Sequence, residues 1–171
     1  MFLDETGVNV AMTRRYGRAP RGRRVYGSAP YQRGRNLTVV AAIAVGRGVV
    51  CHRAIDGGMS GAAFLAFVVE ALLPALEPGS VVVMDNLSAH KTAAVRSALA
   101  AAGVGVLYLP RYSPELNAIE LCWSKVKGRL RAAAARTREG LRSAVAAALD
   151  AVGVADVRGW VRHCGYRLTS S

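Results

Sequence analysis

A chain of 171 residues suits one ordinary domain with a sizeable core and leaves too little for two compact ones. Lysine and arginine number 23 against 11 acidic residues, a formal charge of +12, which points to a polyanionic partner, nucleic acid first. With 52% hydrophobic residues and a mean hydropathy of +0.22, the chain is too apolar for disorder, so this charge belongs on a packed globule rather than a basic tail.

The chain opens on a strand-like run, FLDETGVNV, with no basic region followed by an apolar one, and so does not read as a secretory signal. From Arg14 to Arg35 come eight arginines and no acid, the most basic part of the sequence. NLTVVAAIAVGRGVV reads as a buried strand, a turn near Gly46 to Gly48 and a partner strand from Val49, an antiparallel start. Ser60 suits the N-cap of a helix through AAFLAFVVEALLPAL, closed by Pro78 and Gly79. That apolar stretch contains Glu70 and Pro74 and is shorter than the roughly 20 residues that cross a bilayer, so no membrane partner is expected.

VVVMD follows as a β-branched central strand. Ser88 is positioned to cap the helix TAAVRSALAAAG, which Gly103 stops, and VGVLYLP is another buried strand ended by Pro110. The pattern is helical from Pro114 to about Arg136 and again from Arg138 to Val152, with a short ending, DVRGWVRHCGYRL, so that C-terminal helices occupy about 138–168. Strands first, then alternating helix and strand, then helices predict an α/β fold, a mixed β-sheet flanked by helices, as a single domain over 1–171. Cys51, Cys122 and Cys164 are far apart with no CxxC, which favours free thiols in or near the core over disulfides or a zinc site; the protein is expected in the cytoplasm.

Acidic residues are scarce, so those at strand ends carry information. Asp85 emerges where VVVMD yields to a loop, the usual place for a functional group in a sheet with helical crossovers, and Asp4 sits similarly in MFLDET. At roughly 100° per residue, Leu116, Ile119, Trp123, Val126 and Leu130 form an apolar arc assigned to the core. Glu120 falls at the edge of that arc, with Lys127 and Arg131 nearly beneath it. Three carboxylates converging from two strands and a helix repel one another unless divalent cations neutralise them, and hard oxygen ligands suit Mg²⁺ or Mn²⁺. Each acid alone also has a plainer reading: a strand-end carboxylate for Asp4, an Asx turn for Asp85, and for Glu120 an exposed helix residue stabilised by a neighbouring cation.

FLDET, VVVMDNLSAHK and LPRYSPELNAIELCWSKVK together resemble the catalytic core of DDE transposases of the Tc-mariner superfamily, in its bacterial insertion-sequence branch. The interval between Asp85 and Glu120, residues 86–119, is the spacing shared by many members, and the likeness extends to RRYGRAPRG, to Asn86 and His90, and to HCGY near the end. The resemblance implies a ribonuclease-H-like fold with Asp4, Asp85 and Glu120 as catalytic and metal-binding triad. It differs from the usual pattern at Ala118, where members carry proline, and in its start: three residues precede Asp4, and the N-terminal helix-turn-helix region usual in such transposases is not expected within the chain.

Asn86 and His90 are read as residues that orient Asp85 or a phosphate rather than as reactants. Arg14, Arg15, Arg18, Arg21, Arg23, Arg24, Arg33 and Arg35 present either phosphate contacts, for which the planar guanidinium is suited, or a solvated hairpin surface. Arg14, Arg15, Arg18, Arg21 and Arg24, with Lys91, Arg111, Lys127 and Arg131, are the expected DNA-binding residues. His52 and His163 carry no decisive argument.

The expected chemistry is DNA strand cleavage and strand transfer with two Mg²⁺ or Mn²⁺ ions about 3.5–4 Å apart and no covalent enzyme intermediate. The expected partners are transposon ends and target DNA near the nucleoid, with a homodimer in the DNA complex and a separately encoded N-terminal recognition half. Two other readings stay open on sequence alone, a catalytically silent DNA-binding remnant and a host nuclease of the same fold.

Overall fold

In the computed structural model, which describes residues 1–32 and 34–168, β1 (Phe2–Val8), β2 (Leu37–Ala44) and β3 (Gly48–Asp56) pair antiparallel in succession. On the other side of β1, β4 (Val81–Met84) and β5 (Gly105–Tyr108) add in parallel, giving the order β3-β2-β1-β4-β5. The mixed sheet and the antiparallel start agree with the sequence reading. The LTVVAAIA run of β2 is buried on both faces, as an apolar strand without alternation should be.

Helices cover both faces. One layer holds α1 (Gly61–Phe67) and α2 (Ala93–Ala101), packed through Phe64, Phe67, Val95 and Leu99 on Leu3, Val40, Val82 and Met84. The other holds α3 (Ala118–Ala133), α4 (Arg138–Asp150) and α5 (Val154–His163), packed through Trp123, Leu130, Leu149 and Val157 on Phe2, Val39, Ile43 and Val83. Residues two apart on a strand therefore share a core, and neighbours belong to opposite ones. None of the described helices is long and apolar enough to cross a membrane.

Four local expectations are corrected. Ser60 does cap α1, accepting from the Ala63 N–H, but the regular helix stops at Phe67. It widens into a π-helical turn over Val68–Leu72 and ends in a 3₁₀ turn, Leu73–Ala75, because Pro74 has no N–H to offer and crowds the preceding turn; Pro78 and Gly79 lie beyond it. Ser88 opens a separate 3₁₀ turn, Ser88–Lys91, and Thr92 caps α2 instead. Pro114–Leu116 is likewise a 3₁₀ turn ahead of α3, whose end is set by Ala134 in the left-handed conformation. The basic stretch is no hairpin: the connection between β1 and β2 has no regular secondary structure among its described residues. Arg33 lies outside the described residues. The three cysteines are free thiols, Cys51 half-buried and Cys122 and Cys164 buried.

The free end of β3 is tied to α4 by Asp56, which accepts from Arg138 Nε at 2.9 Å and pairs with Arg142 Nη2 at 2.6 Å. The Arg138 hydrogen bond, with the charges of Arg138 and Arg142, holds the Asp56 carboxyl below its ordinary value of 3.8. A depressed folded value means stability that is fully present above the unfolded pKa and lost as pH falls through the folded one. Thermal melts of Asp56→Asn should therefore lose less on acidification below pH 3.8 than wild type. Equal acid sensitivity would remove this tie from the account; the pair is exposed, so the difference is small.

Candidate active site

The parallel register of β1 and β4 sets Phe2 opposite Val83, and both side chains enter the same core. Two residues beyond each of these stand Asp4, on β1, and Asp85, just past the end of β4, and the two line the same cleft. Asp4 is 6% exposed, and its Oδ2 accepts from Trp123 Nε1 at 3.3 Å. Trp123 is thus core, as expected, but its indole N–H also fixes the register of α3 against β1. Glu120 lies one turn earlier on α3, exposed at the helix start. The 3₁₀ turn leading into α3 is held from the far end of the chain by Tyr166, whose hydroxyl donates to the Leu116 carbonyl at 2.9 Å while its ring packs edge-on against Phe2.

Asp4, Asp85 and Glu120 line one open cleft of about 380 Å³ with Asn86, Arg111, Tyr112 and Asn117. Burial, followed by the charges of Glu120, Glu5 and Asp85, pushes the Asp4 carboxyl up to about 7, against the opposing pull of the Glu5 backbone N–H. No ion pair relieves Asp4 or Glu120 among the described residues. The plainer reading of Glu120, as a helix residue stabilised by a neighbouring cation, has no such pair to rest on among them.

Asp85 is handled differently. Its Oδ1 accepts from the Leu87 N–H at 3.0 Å, the Asx turn considered from sequence, and lies 2.7 Å from His90 Nδ1, within ion-pair reach though outside good hydrogen-bond alignment. His90 is wholly buried, its Nε2 lies 2.9 Å from Glu5 Oε2, and its ring packs on Phe64 with centroids 4.2 Å apart. Burial alone would lower the imidazole pKa, but Asp85 and Glu5 outweigh it and raise it to about 9. The resulting cation, with the Leu87 N–H and Lys91, holds the Asp85 carboxyl below the usual range against its own partial burial. Asn86 donates to the Leu109 carbonyl at 3.2 Å and accepts from Lys91 Nζ at 2.7 Å, clamping the ends of β4 and β5 together.

The donor set fits a hard divalent cation. Three carboxylates face one cleft, one of them driven toward its neutral form by burial and by the others, and Asn117 Oδ1 is buried there without a hydrogen-bond partner. As the side chains stand, no three His, Cys, Asp or Glu groups among the described residues are close enough to hold an ion, so binding requires the carboxylates to draw inward.

The basic residues divide into groups. Arg111 lines the cleft, and Lys91 is joined to it through Asn86. Arg15 and Arg131 line a separate groove with Tyr31 and Asn9, and Arg14, Arg15 and Arg131 another beside Gly128. Arg18, Arg21 and Arg24 are exposed on the long loop and line none of these, while Lys127 is half-buried on α3. The loop is anchored at its base by Arg136, which donates to the carbonyls of Val10 and Met12.

Three residues of the site escaped the sequence reading: Glu5, Asn117 and Tyr112. Glu5 could have been found from strand alternation, since it follows Asp4 and must face the other core, where a buried carboxylate needs a partner. Asn117 carried the signal of an N-cap position, yet it makes no capping bond. Tyr112 carried none, because its φ of 59° is visible only in the structure.

Removing His90 leaves Glu5 and Asp85 without their shared partner. His90→Ala should cost about 3 kcal/mol in urea unfolding, the range for breaking a buried ion pair. A loss under about 1 kcal/mol would mean that the bridge is not structural.

No curated protein sequence matches the chain. Among solved structures, the Mos1 mariner paired end complex with Mn superposes with a TM-score of 0.74 at 17% identity, over 96% of this chain and 53% of that one. The Mos1 transposase catalytic domain with raltegravir and Mg gives 0.70 at 15%, over 96% and 79%, and the catalytic domain of Mos1 mariner transposase 0.67 at 16%, over 96% and 74%. The chain spans about half the length of the paired-end chains it matches. These likenesses agree with the ribonuclease-H-like arrangement expected from sequence. The family described as DDE superfamily endonuclease matches residues 1–142, from β1 into α4, and the chain belongs to that family.

Proposed function

We propose that this chain is a transposase catalytic domain that performs divalent-metal-dependent DNA strand cleavage and strand transfer. The observation that carries the reading is the meeting of Asp4, Asp85 and Glu120, from two adjacent parallel strands and a helix, in one open cleft. Mg²⁺ or Mn²⁺ would be held by these three carboxylates; what the metal supplies when bound, as two ions on this reading, is activation of the attacking hydroxyl and compensation of charge on the leaving 3′ oxygen.

The chain's own residues prepare that site. His90 keeps Asp85 ionised, Trp123 orients Asp4, and the Asn86 clamp sets the spacing of the strand ends. Arg111 stands at the cleft to meet a phosphate, and the arginines of the β1–β2 loop extend the basic surface for the DNA backbone. Transposon ends and target DNA are the partners on this reading, with a homodimer forming on the DNA and an N-terminal recognition half supplying sequence choice.

Supercoiled DNA incubated with the purified chain and Mn²⁺ or Mg²⁺ should be nicked. Asp85→Asn and Glu120→Gln, each folded, should lower the rate by about a thousandfold, since the metal contribution is worth several kcal/mol. Variants that nick as fast as wild type would refute the assignment. Arg14→Ala combined with Arg15→Ala should reduce the slope of log binding constant against log salt by about 2, near one for each phosphate no longer neutralised. An unchanged slope would take these arginines off the DNA path.

A further inference from the structure

Tyr112 occupies a backbone conformation that a bulky residue avoids. Its φ is 59°, in the left-handed region where Cβ crowds the following carbonyl and where glycine is free of that strain. Ala134 is the other non-glycine residue with positive φ among those described, and it has a structural reason: it caps α3, its N–H bonding the Leu130 carbonyl. Tyr112 caps nothing. The residue is 98% exposed, and its ring meets no other aromatic ring among the described residues. Among the described residues, no hydrogen bond or ring contact of Tyr112 offsets the strain.

The position gives the ring a setting. Tyr112 and Arg111 form the turn between β5 and the 3₁₀ segment before α3, with Pro110 on one side and Pro114 two residues beyond on the other. Proline fixes φ and restricts the residue before it, so the turn is stiff. Both turn residues line the cleft that holds Asp4, Asp85 and Glu120. A stiff turn that offers a guanidinium and a bare phenol ring side by side matches a nucleotide: phosphate for the one, the face of a base for the other. Tyrosine suits this because only two side-chain torsions need ordering on contact.

Inside a continuous duplex both faces of every base are covered by its neighbours. The ring can therefore stack only where a base is already uncovered or has left the helix. We propose that Tyr112 is a positioning residue that stacks on the nucleobase beside the phosphate held at the carboxylates. The preferred DNA is then one whose base at that step is unstacked: an end, a nick or a frayed junction. This inference rests on the proposed function and deepens it by naming the substrate class.

The test uses the full chain and short duplexes with a frayed end, carrying 2-aminopurine at successive positions near the fray, against a closed circular duplex. Wild type and Tyr112→Phe should change the 2-aminopurine emission at one position and bind the frayed duplex alike. Tyr112→Ala and Tyr112→Gly should lose the emission change and bind the frayed duplex about tenfold more weakly, with binding to the closed circle unaltered. Tyr112→Gly should melt no lower than wild type, because glycine accepts the backbone, and so separates stacking from folding. If the Ala and Gly variants keep the emission change and the affinity, the inference fails while the proposed function stands. A Tyr112→Ala variant that alters sedimentation but leaves the emission change intact would assign the ring to self-association and also overturn it. A wild type that neither binds nor nicks any DNA overturns the proposed function and the inference together.

Discussion

The in-register parallel pairing of β1 with β4 is the constraint on which the cleft depends. It rests on backbone hydrogen bonds, among them Val83 N–H to the Met1 carbonyl at 2.8 Å, with Leu109 N–H to the Met84 carbonyl at 2.9 Å extending the same parallel arrangement to β5. A slip of one residue in either strand would turn one aspartate to the opposite layer. Because Phe2 and Val83 enter one core as a pair, the register is fixed by burial as well as by hydrogen bonds, and the acids two positions on inherit it. Glu120 needs an independent placement, which the indole of Trp123 and the hydroxyl of Tyr166 provide from the helical layer.

Gathering acids in this way is unfavourable, and the molecule answers the cost unevenly. Asp85 receives a buried imidazolium, a backbone N–H and a nearby lysine, and remains ionised. Asp4 receives the Trp123 indole N–H and the Glu5 backbone N–H, yet burial and the neighbouring acids push its carboxyl up to about 7. Two acids on equivalent positions of adjacent strands thus have different proton affinities. On the proposed function, a cation entering the cleft would favour the least stabilised carboxylate most, since that group has the most to gain when positive charge arrives.

Much of this was legible in the chain. The unbroken apolar run of β2 and the β-branched run of β4 declare strands buried between layers, and an acid at the end of an apolar strand declares a site. The arc of Ile119, Trp123, Val126 and Leu130 places Glu120 at the core margin. What stayed hidden depended on tertiary neighbours. Ser88 looks like a helix cap because its residue type is suited to one, but the chain first makes a 3₁₀ turn to bury His90, and Thr92 takes the cap. The widening of the helix after Phe67 follows from Pro74, whose effect on the preceding turn is local and present in the sequence, though propensity alone does not say that the turn widens rather than breaks. The bond from Glu5 to His90 joins residues 85 positions apart, beyond any local pattern.

Asp4 and Glu5 are neighbours on one strand that face opposite layers, the first toward the cleft and the second toward His90, which also reaches Asp85 around the strand end. β1 is therefore a partition one peptide thick with linked charges on either side. His90 thus meets Glu5 with one ring nitrogen and Asp85 with the other, and its ring is a wall of the Phe64 core. The layer of α1 and α2 behind the sheet is in this way joined to the carboxylates of the cleft through a single ring.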